Sequence, residues 1–171
     1  MSVKKHTISV LVANQFGVLA RVSGMFSARG YNISSLCVGE TEDPTVSRMT
    51  VTVHGDDNVL AQIIQQLNKL VDVIRVEDLT NRSFVERELV MIRVSADHKR
   101  RSEVLEIAEI FRGKIVDLDK NTMTVEVTGA HGKVKAFLEM MRSFGIIETV
   151  RTGEIAISRA ANTAESRDDE A

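Results

Sequence analysis

Residues 14–33 read N-Q-F-G-V-L-A-R-V-S-G-M-F-S-A-R-G-Y-N-I. The segment before them, H-T-I-S-V-L-V-A at 6–13, alternates, with Ile8, Val10 and Val12 on one face, as a half-buried strand does. Gly17 breaks that strand and lets the backbone turn. Val18, Leu19, Val22, Met25 and Phe26 then follow at helical spacing, and Gly30 sits where a left-handed helix cap is wanted. Asn32 opens the next strand. The stretch is therefore strand, glycine turn, helix, strand. Such a turn leaves free N–H groups at the positive end of a helix dipole, which suits a small anion or a carboxylate.

The pattern continues outward from there. Residues 31–39 read as a second strand, and E-T-E-D-P around Pro44, the only proline, as a turn. Residues 46–54 alternate, with Met49, Val51 and Val53 inward. After Gly55-Asp56-Asp57, a helix carries Leu60, Ile63, Ile64, Leu67, Leu70 and Val71, and 73–79 closes the unit. The order is β-α-β-β-α-β. A patternless linker at 80–84 precedes a repeat of that order. A strand at 87–95 carries Val90, Ile92 and Val94, and a helix from Ser102 carries Val104, Ile107, Ala108 and Phe111, capped by Gly113. A hairpin (114–118, 122–128) turns at Asp119-Lys120-Asn121. The last helix carries Val134, Phe137, Leu138 and Met141 and ends at Gly145. Residues 146–151 close the second unit, and 154–158 are expected to add an edge strand. F-S-A-R-G-Y-N-I (26–33) and F-R-G-K-I-V (111–116) echo each other at the same point of each repeat.

The fold class is α+β: two ferredoxin-like βαββαβ sandwiches in tandem, at 1–80 and 81–159, with a disordered tail at 160–171. Domains this small bury only about 60% of their unfolded surface. If the alternation holds, Leu11, Leu36 and Val38 point away from the first unit's helices. A partner domain or subunit is expected over that face or an edge.

Composition narrows the function classes. The 171 residues are 43% hydrophobic, 27% charged and 4% aromatic, with no tryptophan, so the core is aliphatic. A net charge of −2 gives no general attraction to nucleic acid or anionic membrane. The single cysteine, Cys37, fits a reducing compartment and reads as a small buried hydrophobe. No apolar run suits a signal peptide or a membrane span, so a cytoplasmic protein is expected. The four histidines are scattered without metal-ligand spacing. Asp117 and Asp119 flank a turn, and no serine sits in a nucleophile elbow, so the chain offers no catalytic constellation. RNA modules share this element order but need exposed aromatics on the central strands, which offer only Tyr31. Glu86-Arg87-Glu88 reads as surface charge. His98-Lys99-Arg100-Arg101 reads as a solvated loop, or as a dock for an acidic surface or a phosphate.

The Asn14–Leu19 loop is the remaining candidate. Backbone N–H groups of Phe16 to Leu19 suit a carboxylate, with Asn14 or Asn32 for an ammonium. A plain strand-to-helix turn fits the same pattern and is the commoner case for a single glycine. The corresponding loop of the second unit, S-A-D-H-K-R-R-S, has no glycine. A purely architectural turn would need one in both copies, so the first copy is the specialised one.

Three runs carry a family resemblance: V-L-V-A-N-Q-F-G-V-L-A-R-V-S-G-M-F-S-A-R-G-Y-N-I-S-S-L, S-R-M-T-V-T-V and Q-L-N-K-L-V-D-V-I-R-V. With S-F-V-E-R-E-L-V-M-I-R-V, E-I-F-R-G-K-I-V-D and G-K-V-K-A-F-L from the second half, they resemble the small regulatory subunits of acetolactate synthase. The resemblance runs from His6 to Arg159, with motifs of both halves in order. It implies an N-terminal ACT domain, which binds an amino acid, and a family-specific C-terminal ferredoxin-like domain. It implies a homodimer through the ACT domains, with valine at the interface. Carried over by position, Asn14, Gln15, Phe16, Gly17, Val18 and Leu19 supply one side of that site, and Asn32 and Ile33 of the other chain the opposing strand. It implies a regulatory subunit without an active site or cofactor of its own, serving branched-chain amino acid biosynthesis. The catalytic large subunit, a separate chain, would hold thiamine diphosphate, magnesium and FAD, and would be activated and made valine-sensitive. The alternative is a stand-alone ACT-type sensor with a different partner. No basic recognition helix supports DNA contact.

Overall fold

A computed structural model describes residues 3–160. The expected tail lies outside the described residues from 161 onward. The chain forms two compact units. One runs to Val85 and resumes at Glu154, and the other is Glu86–Gly153.

The first unit contains β1 (Lys4–Ala13), α1 (Val18–Ala28), β2 (Ile33–Glu40), β3 (Val46–Gly55), α2 (Asp57–Leu67) and β4 (Val73–Asp78). Its sheet has the order β2-β3-β1-β4, antiparallel throughout, which leaves β2 and β4 as edges. The alternation of β1 and β3 sends Ile8, Val10, Val12, Met49, Val51 and Val53 onto the helices, all fully buried. Val22, Phe26, Leu60, Ile63 and Leu67 meet them from α1 and α2. Each such side chain stabilises the fold by roughly 1.5–3 kcal/mol, an upper estimate because unfolded chains already hide some surface. Asp56 starts α2 by accepting the Val59 N–H at 2.9 Å, a cap worth about 1 kcal/mol. In the 40–44 turn, the Asp43 carboxylate accepts from the Thr45 hydroxyl at 2.7 Å and its N–H at 2.9 Å. Those bonds hold the Asp43 carboxyl below its ordinary range.

Two expectations fail here, for local reasons. A register shift between Ile33 and Ser35 flips the strand, so Leu36 packs on the core instead of pointing away from it. This is the usual effect of a bulge on a period-two pattern. Leu11 does lie on the outer face, beside Ser9 and Arg48, but the buried residues of that face are polar: Thr7, Ser9, Thr50 and Thr52, each 3% exposed.

The second unit repeats the plan with most of β5 (Phe84–Ser95), α3 (Arg101–Ile110), β6 (Lys114–Leu118), β7 (Thr122–Gly129), α4 (His131–Met141) and β8 (Ile146–Arg151). Its strand order is β6-β7-β5-β8. Val90, Ile92, Val94, Val125, Val127, Val134 and Phe137 are fully buried in its core. Phe137 meets Phe111 in a tilted ring contact with centroids 5.5 Å apart. At the end of α3, the left-handed residue is Arg112 (φ 50), not Gly113. Gly113 is needed for another reason: a Cβ there would sit 2.9 Å from Val127 Cγ2 and 3.0 Å from the Glu126 carbonyl oxygen.

Residues 155–158 do form a strand, β9 (Ile155–Ser158), which pairs with β5. It belongs to the first unit, however, and the Arg159 N–H donates to the Ser83 carbonyl at 3.0 Å.

Candidate effector site

Gly17 is the N-cap of α1 at φ 83, a conformation that costs an L-residue about 1–2 kcal/mol. No side chain caps this helix. The N–H groups of Phe16, Gly17, Leu19 and Ala20 have no hydrogen-bond partner among the described residues, while the Val18 N–H reaches the Gln15 carbonyl at 3.4 Å. The loop thus presents several unsatisfied donors at a helix N-terminus, as an anion site requires.

A cation that sequence reasoning missed lies beside it. Arg21 is one turn along α1, and its Nη1 is 3.0 Å from where a Cβ on Gly17 would stand. Its Nε donates to Asp72 Oδ2 at 2.6 Å, and that hydrogen bond raises the guanidinium pKa further. The signal was the i, i+4 spacing from Gly17, which places Arg21 above the turn.

Asn14 is fixed by its own chain. Its N–H donates to the Thr45 carbonyl at 2.7 Å. Its side-chain Nδ2 donates to Glu40 Oε1 at 3.1 Å and to the Pro44 carbonyl at 2.9 Å. With both Nδ2 protons used, Oδ1 remains as an acceptor. Gln15 and Phe16 are exposed, Phe16 completely. Val18 is buried in the core, so only its backbone belongs to the loop surface, whereas Leu19 is half-exposed.

Asn32, exposed, and Ile33, half-buried, are far from this loop within one chain. Ala13 pairs with Val46 at one end of β3, and Ile33 pairs with Val53 near the other. Those partners are seven residues apart, which at ~3.4 Å per residue is roughly 24 Å. The two halves of the candidate site therefore stand at opposite ends of the sheet.

The other sequence candidates resolve as structural. Arg100 lies over the Phe144 ring at 4.7 Å and donates to the Ser143 carbonyl at 2.6 Å. Arg101 donates to the Asp119 and Lys120 carbonyls, each at 2.9 Å. The arginines of the basic run thus hold their own unit together. Glu86 and Glu88 are not idle surface charge either. Glu86 accepts the His131 N–H at 2.9 Å and caps α4, and buried Glu88 receives a two-pronged contact from Arg151 at 2.8 and 2.7 Å. Among the described residues no group of three or more His, Cys, Asp or Glu is placed to hold a metal. No helix among them is long and apolar enough to cross a membrane.

Residues 8–75 match the family model described as the AHAS small subunit-like ACT domain. Residues 87–160 match that of the small subunit of acetolactate synthase. The chain is 53% identical over 155 residues to a probable acetolactate synthase small subunit of Archaeoglobus fulgidus, covering 91% of this chain and 97% of that protein. It is 47% identical over 168 residues to the acetolactate synthase small subunit of Aquifex aeolicus, covering 98% and 88%. The crystal structure of the Thermotoga maritima acetolactate synthase small subunit superposes with a TM-score of 0.82 at 40% identity, covering 91% of this chain and 98% of that one. Two ferredoxin-like units in tandem, with an uncapped glycine turn in the first alone and kinship along nearly the whole length, place this chain in the family of acetolactate synthase small regulatory subunits.

Proposed function

We propose that this chain confers valine feedback on acetolactate synthase, through two sites each shared between two copies of its ACT domain. The observation that carries this reading is the separation of Asn14–Leu19 from Asn32–Ile33 by roughly 24 Å within one chain. One small amino acid cannot touch both halves of the same copy. β2 is an unpaired edge, and a two-fold axis through it would lay β2 antiparallel against its own copy. The start of β2 in one copy would then face the end of β2 in the other, where Glu40 holds Asn14. Two composite sites follow from one axis.

In that arrangement the valine carboxylate meets the free N–H groups of Phe16, Gly17 and Leu19, with Arg21 behind them. The ammonium meets Asn14 Oδ1 and Asn32, and the side chain packs by Leu19 and Ile33. A carboxylate at a helix N-terminus contributes about 0.3–2 kcal/mol. Burying an isopropyl group adds roughly 1.5–3 kcal/mol. Charge-assisted hydrogen bonds add about 1.5–3 kcal/mol each before association entropy is subtracted. Micromolar to millimolar affinity results, which suits a metabolite sensor. Leucine and isoleucine differ by one methylene, worth about 1–3 kcal/mol, so the pocket discriminates among the three by no more than that.

The partner is the catalytic large subunit. We assign thiamine diphosphate, magnesium and FAD to that chain and none to this one, and place the assembly in the cytoplasm, in branched-chain amino acid biosynthesis. Feedback then requires that the catalytic subunit change valine affinity by the factor with which valine changes its binding. The first 80 residues sense and dimerise, and residues 81–159 supply further contacts to the catalytic chain. Titration calorimetry of the full chain with valine tests the reading. Binding at one site per chain, lost in Gly17→Asp, supports it, and equal heats from both proteins remove the loop from the site.

A further inference from the structure

The segment that follows the second unit returns to the first by a polar route. Glu154 is 4% exposed, and its carboxylate is divided between Lys5 Nζ and the Thr7 hydroxyl, which donates at 3.1 Å. The Glu154 N–H donates to Ser35 Oγ at 3.0 Å. The Ala156 N–H donates to Thr50 Oγ1 at 3.4 Å. Ala156 is buried, while Ile155 and Ile157 are more than half exposed. A strand thus crosses the outer sheet face, held by its pairing with β5, by hydroxyls, by one buried carboxylate and by one methyl group. Large apolar anchors, which would make such docking permanent, are missing from its inner side.

Apart from Thr50, at the middle of β3, the gripped positions lie toward one end of the sheet. Thr7 and Ser35 both pair with Thr52, Lys5 pairs with His54, and Ile33 pairs with Val53 between those two. Ser35 is two residues beyond Ile33 on the bulged start of β2. The strap therefore bears on the end where Asn32 and Ile33 leave the sheet, and not on the Asn14 end.

We propose that residues 154–158 are a releasable strap, anchored by Glu154, whose docking is coupled to effector binding because it holds the Asn32–Ile33 half of the site in place. The proposal rests on the valine reading above. Linkage makes the coupling reciprocal: bound valine tightens the strap, and a loosened strap weakens valine. It also gives the second unit a covalent handle on the sensor, since Gly153 joins that unit directly to Glu154.

Residue-resolved amide exchange on the full chain, with and without saturating valine, tests this, with calorimetry on the same samples. Valine is expected to slow exchange at Glu154 and Ala156 at least fivefold. Glu154→Gln is expected to raise the valine Kd about fivefold or more, while Ile92 and Val125 in the second core keep wild-type protection. Valine that binds by calorimetry yet leaves Glu154 and Ala156 unchanged overturns the coupling, as does a Glu154→Gln protein with wild-type affinity. Absence of valine heat in the wild type overturns the site reading itself, and the coupling with it. If Glu154→Gln loses protection at Ile92 and Val125, the wild-type exchange comparison decides alone.

Discussion

Asn14 Nδ2 donates to Glu40 Oε1 at 3.1 Å, tying the loop that follows β1 to the last residue of β2. β1 and β2 are not neighbours, since β3 lies between them. The bond therefore fixes the loop to the sheet edge where a second copy would pair. Glu40→Ala frees one Nδ2 proton and lets Asn14 rotate. Valine affinity is expected to fall about three- to tenfold, with a change in melting temperature under about 2 °C because the pair is exposed. Calorimetry and a thermal melt on the same protein check both numbers.

Gly17→Ala isolates the backbone from the charge effect of Gly17→Asp. The new Cβ forces a left-handed alanine and meets Arg21 Nη1 at 3.0 Å. A stability loss of about 1–2 kcal/mol is expected from the backbone alone. Valine Kd should rise at least tenfold, since the turn that aims the free N–H groups is displaced. A denaturant titration paired with calorimetry separates the two effects.

Arg21→Gln removes the cation behind the loop and leaves Asp72 without its ion pair. A five- to twentyfold loss of valine affinity is expected, together with a weaker dependence of affinity on salt, because a screened charge no longer contributes. Calorimetry at two ionic strengths reads both. An unchanged salt dependence would remove Arg21 from the site.

The order of elements and the inward faces of β1, β3 and β5 were legible in the sequence because period-two alternation and buried helix stripes are strong local signals. Gly30 does take positive φ where the pattern placed a left-handed cap. Three features were illegible for a common reason: each depends on contacts distant in sequence. The bulge that turns Leu36 inward is a property of β2 against β3. The left-handed Arg112 stands next to Gly113, which is pressed against β7. The return of Glu154 to Lys5 and Thr7 spans about 150 residues, and nothing in E-I-A-I-S announces it. In the site, the glycine turn was readable, whereas Arg21 and the Asn14–Glu40 bond needed the folded chain.

Arg151 is the partner of a buried carboxylate, Glu88. Arg151→Met should destabilise the second unit by about 3 kcal/mol, because it leaves Glu88 buried without its cation. Adding Glu88→Met should recover most of that loss, since an apolar pair of similar size needs no compensation. Urea unfolding of the single and double variants checks the cycle, and valine affinity should be unaffected in both.

Phe16 is fully exposed in the single chain, on the loop that a second copy would cover. Phe16→Ser should weaken dimerisation about tenfold or more by sedimentation equilibrium, with little change in the stability of the separate chain.

The composite nature of the site is tested most directly by complementation. Gly17→Asp and Asn32→Ala chains are each titrated with valine alone, and then after mixing and subunit exchange. Each variant alone is expected to bind negligibly, because every site in its dimer carries one damaged half. The mixed dimer joins the intact Asn32 of one chain to the intact Gly17 of the other. Calorimetry should therefore recover near-wild-type affinity at one site per mixed dimer. A mixture that binds no better than either variant alone would contradict a site built from two copies.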